Sequence, residues 1–199
     1  MIDIEKFTKI FDVAKTKSLI STDRFLVLLE RLIECRDLEG DIFECGVYKG
    51  GSAYLLKMCI EIYNMNKELF LFDTFSGMPP TNPDEDLHKE NDFNDITLDI
   101  VKAFVGNDSY IHYIQGFIPD TFVGLEEKKI AFAHVDVDIY KSVWDCCEFI
   151  WPRLSKHGFI VFDDYGFESC PGAKKAIDFF FRDVTQVIEL QTKQAMVQK

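Results

Sequence analysis

The chain has few basic residues, and it lacks the patterns typical of an export signal or a membrane span. Its 199 residues include 22 lysines and arginines against 34 aspartates and glutamates, which gives a formal net charge of -12 at pH 7. This excess of negative charge argues against nucleic acid, a polyanionic substrate or an anionic membrane surface as a partner. The first residues lack the basic and then apolar order of a signal peptide, and no apolar run approaches the length that crosses a bilayer. We therefore expect a soluble protein with a neutral or cationic ligand.

The six cysteines also lack the spacing of a redox or zinc motif. There is no Cys-x-x-Cys pair and no histidine at zinc-finger spacing, and most of the cysteines lie in apolar runs. Such residues are typical of buried, reduced thiols, which predicts a cytoplasmic protein. A chain of this length can bury a sizeable core without disulfides. We expect a single domain, with residues 1–38 as a helical cover and residues 39–199 as a catalytic α/β core.

Two apolar runs that end in acidic residues organise the rest of the chain. The first is followed by Asp136 and Asp138, and the second by Asp163 and Asp164. Continuous apolar runs are typical of buried parallel strands, and ligands bind beyond the carboxyl ends of such strands. Two carboxylates about 4 Å apart repel by roughly 4 kcal/mol at an effective dielectric near 20, so four of them need compensation. Either some of the carboxylates stay protonated, or a hard cation such as Mg²⁺ lies among them. Neither cluster contains a Lys or Arg, so we favour the metal. The alternative is that these acids only cap helices or line a turn.

A glycine-rich turn follows an earlier strand. It extends from Gly46 to Ser52 and leads into a predicted helix. Glycines permit positive φ and close backbone approach, and the N-terminus of the helix offers free N–H groups to an anion. Gly46 and Gly51 have the spacing of a P-loop, but Ser52 stands where the phosphate-binding lysine belongs. The next strand ends in Asp73, where nucleotide-binding folds place an acceptor for a ribose hydroxyl.

The remaining pattern alternates helices and strands. We predict a helical layer that covers the domain and is not catalytic at residues 3–36. We predict a mobile polar loop that can close over a substrate at residues 81–95. Strands are also predicted at 68–72, 111–116, 130–135 and 158–162, helices at 53–63, 96–105, 121–129, 142–154 and 171–182, and a closing hairpin at 186–197. Such alternation implies a parallel sheet with helices on both faces.

Four ordered segments together resemble the macrocin O-methyltransferase (TylF) family. They are residues 43–52, 73–79, 134–140 and 162–166, and the resemblance extends from about residue 22 to residue 181. It implies a class I methyltransferase fold: a Rossmann-like α/β domain with a mostly parallel seven-stranded sheet, helices on both faces and an antiparallel C-terminal strand. It also implies S-adenosylmethionine and a divalent metal, usually Mg²⁺, as cofactors. The chain is shorter than the antibiotic-tailoring members, and its 81–95 loop does not align with theirs, which leaves the acceptor open.

The resemblance implies a cofactor site at the ends of the first three strands. The matching positions are Glu44, Gly46, Ser52, Asp73, Gln115 and Gly116. The first two would lie beneath the methionine part of the cofactor, and Ser52 would meet its carboxylate. Asp73 would bind the ribose, and the last two would adjoin the adenine.

The resemblance also assigns the acidic clusters. Asp136, Asp163 and Asp164 match the metal ligands of the family, and Asp138 matches its general base. In a strand, residues two apart share a face, so Asp136 can hold the metal while Asp138 reaches a bound hydroxyl. Coordination to Mg²⁺ acidifies a hydroxyl that a carboxylate alone deprotonates poorly. We therefore expect an O-methyltransferase that acts on a hydroxyl of a sugar or glycosylated natural product, best on a vicinal diol.

Other functions remain open at this point. A Mg²⁺-dependent phosphatase of the haloacid dehalogenase type also uses Asp-x-Asp and a second acidic pair, but it leaves the glycine-rich turn and Asp73 without a role. A non-catalytic nucleotide-binding or metal-binding module is a third class. A catechol methyltransferase is the nearest alternative within the favoured class, and a homodimer is possible.

Overall fold

A seven-stranded sheet forms the centre of the computed structural model, which describes residues 4–199 except for the side chains of residues 4 and 6. The strands in chain order are β1 (Asp41–Cys45), β2 (Leu69–Asp73), β3 (Ile111–Gln115), β4 (Ile130–Val135), β5 (Leu154–Phe162), β6 (Ile188–Glu189) and β7 (Ala195–Gln198). Their order in the sheet is β3-β2-β1-β4-β5-β7-β6. Strands β1 to β5 pair in parallel, whereas β7 runs antiparallel to both β5 and β6. The predicted sheet is confirmed.

Helices cover both faces of this sheet. They are α1 (Ile4–Ala14), α2 (Thr22–Glu34), α3 (Gly51–Ile62), α4 (Leu98–Val105), α5 (Tyr140–Arg153) and α6 (Pro171–Phe181), with 3₁₀ turns at Lys15–Lys17 and Asp120–Phe122. Side chains of α1 to α4 belong to the apolar core on one face, and those of α5 and α6 to the core on the other. Strand β4 is buried along its whole length, as its uninterrupted apolar sequence predicts. No helix of the described residues is long and apolar enough to cross a membrane.

The N-terminal layer consists of two helices joined by a link. Helices α1 and α2 both pack against α3, and Phe7, Phe11 and Phe25 are buried between them. Residues 18–21 connect the two helices without regular structure. The predicted start of the layer at Asp3 lies outside the described residues. The division of the chain into a cover and a core at residue 38 stays a prediction.

Most predicted elements are present within a few residues of their expected ends, with one exception. The helix predicted at residues 121–129 is wrong, since the chain forms only the 3₁₀ turn Asp120–Phe122 there. Gly124 has φ +87°, a left-handed conformation that ends helical structure. Residues 74–97 contain neither helix nor strand, as predicted for the loop.

Candidate active site

A cavity of about 290 Å³ opens at the carboxyl ends of the parallel strands. Residues that follow β1, β2, β3, β4 and β5 all contribute to its wall. Residues 17–20 and Arg24 from the N-terminal layer complete it, and the prediction that this layer takes no part in catalysis stays a prediction. The cavity therefore lies where an open parallel sheet places its ligand.

The glycine-rich turn brings the backbones of β1 and β4 together. Gly46 has φ +85°, and a Cβ atom on it would lie 1.7 Å from the backbone oxygen of Asp136. Only glycine fits this position, because any side chain would push the glycine-rich turn away from the first acidic cluster. Ser52 is buried in the first turn of α3 and lines the cavity. The free N–H groups of this helix end suit an anionic group of a ligand.

Asp73 holds this turn in place. Its Oδ2 accepts hydrogen bonds from the backbone N–H groups of Val47, at 2.7 Å, and Tyr48, at 2.9 Å. Its Oδ1 accepts from the N–H of Phe75 at 2.7 Å. Hydrogen bonds to a carboxylate are stronger than neutral ones, so Asp73 fixes the turn as well as facing the cavity. The ribose contact predicted for Asp73 stays a prediction.

Three carboxylates meet on the opposite wall. Asp136, Asp163 and Asp164 each have an oxygen within 4.8 Å of the others. Burial, followed by repulsion from the other two carboxylates, raises the pKa of Asp136 well above its usual range. Burial and the neighbouring carboxylates of Asp138 and Asp163 raise the pKa of Asp164 in the same way. An oxygen-only set of this spacing is the donor set that a hard divalent cation prefers.

A cation of the protein also reaches this cluster, which the sequence did not indicate. The guanidinium of Arg24, on α2, forms an ion pair with Asp163 Oδ2, and Gln194 Nε2 donates to Asp163 Oδ1 at 2.9 Å. Arg24 is held in turn by the carbonyl oxygen of Leu19 at 2.7 Å. Lys141, which is close to the acids in sequence, pairs with Asp145. Arg24 therefore compensates part of the negative charge of the three carboxylates.

Asp138 is held in an unusual backbone conformation beside this cluster. It follows the end of β4 with φ +59°, and its N–H donates to Asp164 Oδ2 at 2.9 Å. The expectation that it shares a strand face with Asp136 is wrong, because the strand ends at Val135 and a turn carries both acids. Burial raises the pKa of Asp138, although His88 beside it acts in the opposite direction. The turn still brings Asp138 to the cavity wall.

His88 comes to Asp138 from the 81–95 loop. Its Nε2 lies 3.5 Å from Asp138 Oδ1, and its Nδ1 lies 3.1 Å from Asp92 Oδ2. The loop is anchored by the buried Asp86, whose Oδ1 accepts from the N–H of Tyr140 at 2.8 Å. The loop therefore contributes to the cavity wall, and its closure over a substrate stays a prediction.

Glu44 lies beneath the cavity and not in its wall. Its Oε1 is 3.0 Å from Nδ1 of His134, and both side chains are fully buried. His134 Nε2 lies 3.9 Å from Asp163 Oδ1. Burial alone lowers the pKa of His134, but the two carboxylates raise it to about 10. The side chain of His134 therefore connects Glu44 on β1 with Asp163 of the acidic cluster.

The structure brings most of the predicted site residues together. Those that line the cavity are Gly46, Ser52, Asp73, Gly116, Asp136, Asp138, Asp163 and Asp164. Glu44 and Gln115 do not: Glu44 contacts His134, and Gln115 is exposed with its Nε2 donating to the carbonyl oxygen of Thr74 at 3.2 Å. Sequence reasoning missed Arg24, His88 and Cys170, which also line the cavity. Arg24 and His88 lie far from the acids in sequence, and Cys170 follows Asp164 closely but forms no recognisable motif with it.

Comparisons with known proteins identify the family of this chain. The family model described as Macrocin-O-methyltransferase (TylF) matches residues 16–193. The chain therefore belongs to the macrocin O-methyltransferase family, whose fold is that of the class I Rossmann-like methyltransferases.

Two curated relatives and one solved structure show the range of the similarity. The 8-demethyl-8-(2,3-dimethoxy-alpha-L-rhamnosyl)-tetracenomycin-C 4'-O-methyltransferase of Streptomyces olivaceus is 30% identical over 67% of this chain and 56% of its own length. The demethyldecarbamoylnovobiocin O-methyltransferase of Streptomyces niveus is 26% identical over 75% of this chain and 63% of its own length. The chain thus spans less than two thirds of these relatives. The O-methyltransferase NovP has the same fold, with a TM-score of 0.81 at 22% identity over 92% of this chain and 82% of that one.

Proposed function

We propose that this protein is an O-methyltransferase that transfers a methyl group from S-adenosylmethionine to a hydroxyl. The observation that carries the proposal is the convergence of the glycine-rich turn, Asp73 and the acidic cluster on one cavity in a chain of the macrocin O-methyltransferase family. The turn from Gly46 to Ser52 would hold the methionine part, with its carboxylate at the N-terminus of α3. Asp73 and Gly116 would border the ribose and adenine.

We propose further that Asp136, Asp163 and Asp164 hold a divalent cation, Mg²⁺ by preference. Their donor set is all oxygen, and its spacing within 4.8 Å suits a small hard ion. When bound, the cation supplies the positive charge that acidifies an acceptor hydroxyl. Asp138 lies beside this set in the cavity wall and would take the hydroxyl proton. The hydrogen bond from the N–H of Asp138 to Asp164 fixes the distance between base and ligand set.

The acceptor we favour is a hydroxyl of a sugar or glycoside, best in a vicinal diol. The name of the Streptomyces olivaceus relative describes methylation of a compound that bears a rhamnosyl group. In this chain the exposed apolar side chains of Leu19 and Phe117 border the cavity and would pack against the apolar part of a glycoside. A compound of this kind carries no charge, which agrees with the acidic surface.

The phosphatase is not favoured. Asp73 and the glycine-rich turn are built into the cavity, whereas a phosphatase of the haloacid dehalogenase type gives them no role. A non-catalytic module differs from the proposal only in turnover.

A cytoplasmic location agrees with six cysteines that are all free and buried. The homodimer stays a prediction.

The test is methyl transfer from methyl-labelled S-adenosylmethionine to a panel of rhamnosides and other uncharged deoxysugar glycosides. Each diol is paired with the analogue in which one hydroxyl is methylated or missing. We expect labelled methyl ether from at least one diol with Mg²⁺ and none in excess chelator. Tight cofactor binding without transfer to any member of a broad glycoside and catechol panel would support the non-catalytic module. Full transfer in excess chelator would contradict the metal assignment.

A further inference from the structure

A second group of metal-binding side chains lies beside the three carboxylates. His88 from the loop, Asp138 from the turn after β4 and Cys170 at the start of α6 bring a nitrogen, an oxygen and a sulfur together within 4.8 Å. We call these three residues the mixed cluster. It faces the cavity, and it is separate from the all-oxygen set of Asp136, Asp163 and Asp164. None of its members is near another in sequence, so only the fold assembles it.

The spacing of the mixed cluster matches one face of a zinc tetrahedron. His88 Nε2 lies 3.5 Å from Asp138 Oδ1, and Cys170 Sγ lies 3.5 Å from Asp138 Oδ1 and 3.6 Å from His88 Nε2. Zinc bonds of about 2.0–2.1 Å to nitrogen or oxygen and about 2.3 Å to sulfur, at tetrahedral angles, place ligand atoms about 3.3–3.6 Å apart. An ion would therefore need little movement of the three side chains.

The surroundings of His88 and Asp138 also favour metal binding. Asp92 Oδ2 lies 3.1 Å from His88 Nδ1 and accepts from the N–H of Lys89 at 3.0 Å. A carboxylate on the far nitrogen of an imidazole fixes the tautomer and leaves the other nitrogen free as a ligand, as in zinc proteins. Asp138 is fixed by its own backbone hydrogen bond to Asp164. Two of the three ligands are thus oriented before any ion binds.

We propose that the mixed cluster of His88, Asp138 and Cys170 is a second metal site, selective for Zn²⁺ or a similar borderline ion. A thiolate and an imidazole select such ions, whereas Mg²⁺ prefers the oxygen ligands of the neighbouring set. Binding replaces the thiol proton of Cys170 with the metal and releases that proton to solvent. Three protein ligands leave the fourth position to water.

One consequence rests on the proposed function. Zn²⁺ in the mixed cluster would bind the carboxylate of Asp138 and so remove the base, which makes Zn²⁺ an inhibitor of methyl transfer. Zn²⁺ binding can be measured without methyl transfer. A failed binding test would therefore contradict the second metal site alone, and absence of methyl transfer would contradict the proposed function alone.

The experiment measures Zn²⁺ binding to the full chain by competition with a chromophoric chelator, with Mg²⁺ in excess to occupy the all-oxygen set. We expect one Zn²⁺ per chain. Cys170→Ser and His88→Gln should each weaken Zn²⁺ by about 100-fold or more, and Asp92→Asn by about 10- to 100-fold, the usual effect of losing an outer-shell partner. His112→Gln, on a histidine paired with Glu68 away from the cavity, is the matched control and should bind as the wild type does.

Cobalt provides a second, spectroscopic readout. Co²⁺ in the mixed cluster should show the near-ultraviolet absorption of a thiolate–cobalt bond, and this band should disappear in Cys170→Ser. In active protein, Zn²⁺ should inhibit the wild type at concentrations that leave Cys170→Ser uninhibited. Absence of Zn²⁺ binding in excess Mg²⁺, unchanged affinity in both ligand variants, or a Co²⁺ complex without the thiolate band would overturn the proposal and leave the cluster as a set of hydrogen bonds.

Discussion

Arg24 offers a direct test of how the site balances its charge. If all three carboxylates were ionised, each pair within 4.8 Å would repel by about 3.5 kcal/mol or more at an effective dielectric near 20. The Arg24 side chain is 12% exposed and that of Asp163 is 2% exposed, so their ion pair is largely shielded from water. Removing one partner of such a pair typically destabilises a protein by about 3–5 kcal/mol.

Arg24→Met keeps most of the side-chain volume and removes the charge. We expect a loss near the lower end of that range in excess chelator, because a carboxylate of the cluster can take up a proton. For a chain of this size about 3 kcal/mol corresponds to a fall in Tm of about 6–12 °C. Mg²⁺ should restore much of this stability, since the ion replaces the missing charge and binds only the folded state. Thermal unfolding of both proteins with chelator and with Mg²⁺ measures all four values.

Arg31→Met is the matched control on the same helix. Arg31 pairs with Glu30 and Glu34, whose side chains are 43% and 50% exposed, and such surface pairs contribute about 0–1 kcal/mol. It should lower Tm little, and equally with and without Mg²⁺. If Arg24→Met behaved like Arg31→Met, or lost the same stability in chelator and in Mg²⁺, the claim that Arg24 compensates the cluster would be refuted.

Two further substitutions test the proposed cofactor site and the buried pair of Glu44 and His134 beneath it. Asp73→Asn keeps a single acceptor oxygen, which cannot accept both from the turn N–H groups of Val47 and Tyr48 and from the N–H of Phe75, and each lost hydrogen bond to a charged group is worth about 1.5–3 kcal/mol. We expect S-adenosylmethionine affinity to fall by about 10- to 100-fold in calorimetry, and an unchanged Kd would remove Asp73 from the site. Because the folded-state pKa of His134 is raised from 6.5 to about 10, its contribution to stability is present in full below pH 6.5 and is lost as the pH rises towards 10. Denaturant unfolding at pH 6, 8 and 10 should show this loss in the wild type and not in His134→Gln, and parallel pH profiles for the two proteins would show that Glu44 does not hold a protonated imidazole.

Much of the fold was predictable because its signals are local. An apolar run followed by acids marks the end of β4, and the glycines after β1 mark a turn that only they can form, as the contact of Gly46 with Asp136 shows. The parallel sheet then places Asp73, Asp136 and Asp163 at one edge, which is why three distant segments predicted a common cavity.

The partners of these residues were not predictable, because tertiary packing selects them. Arg24 looks like any arginine on an amphipathic helix, and only the way α2 crosses the sheet brings it to Asp163. His88 lies in a loop without periodicity, so nothing local indicates that it reaches Asp138. The turn at Asp138 itself contradicted the strand geometry expected from its spacing, since a residue with φ +59° does not continue a strand.

The rate of methyl transfer as a function of Mg²⁺ concentration, in Asp164→Asn and Asp138→Asn, tests the central claim most directly. Asp164→Asn removes a charge from the ligand set, so Mg²⁺ should bind more weakly and higher Mg²⁺ should restore part of the rate. Asp138→Asn keeps the shape of the side chain but cannot take the hydroxyl proton, so its rate should fall by roughly 10²- to 10⁴-fold at every Mg²⁺ concentration, with cofactor binding intact. Recovery of Asp138→Asn by added Mg²⁺ would make Asp138 a metal ligand, and a near-normal rate in that variant would contradict its assignment as the base.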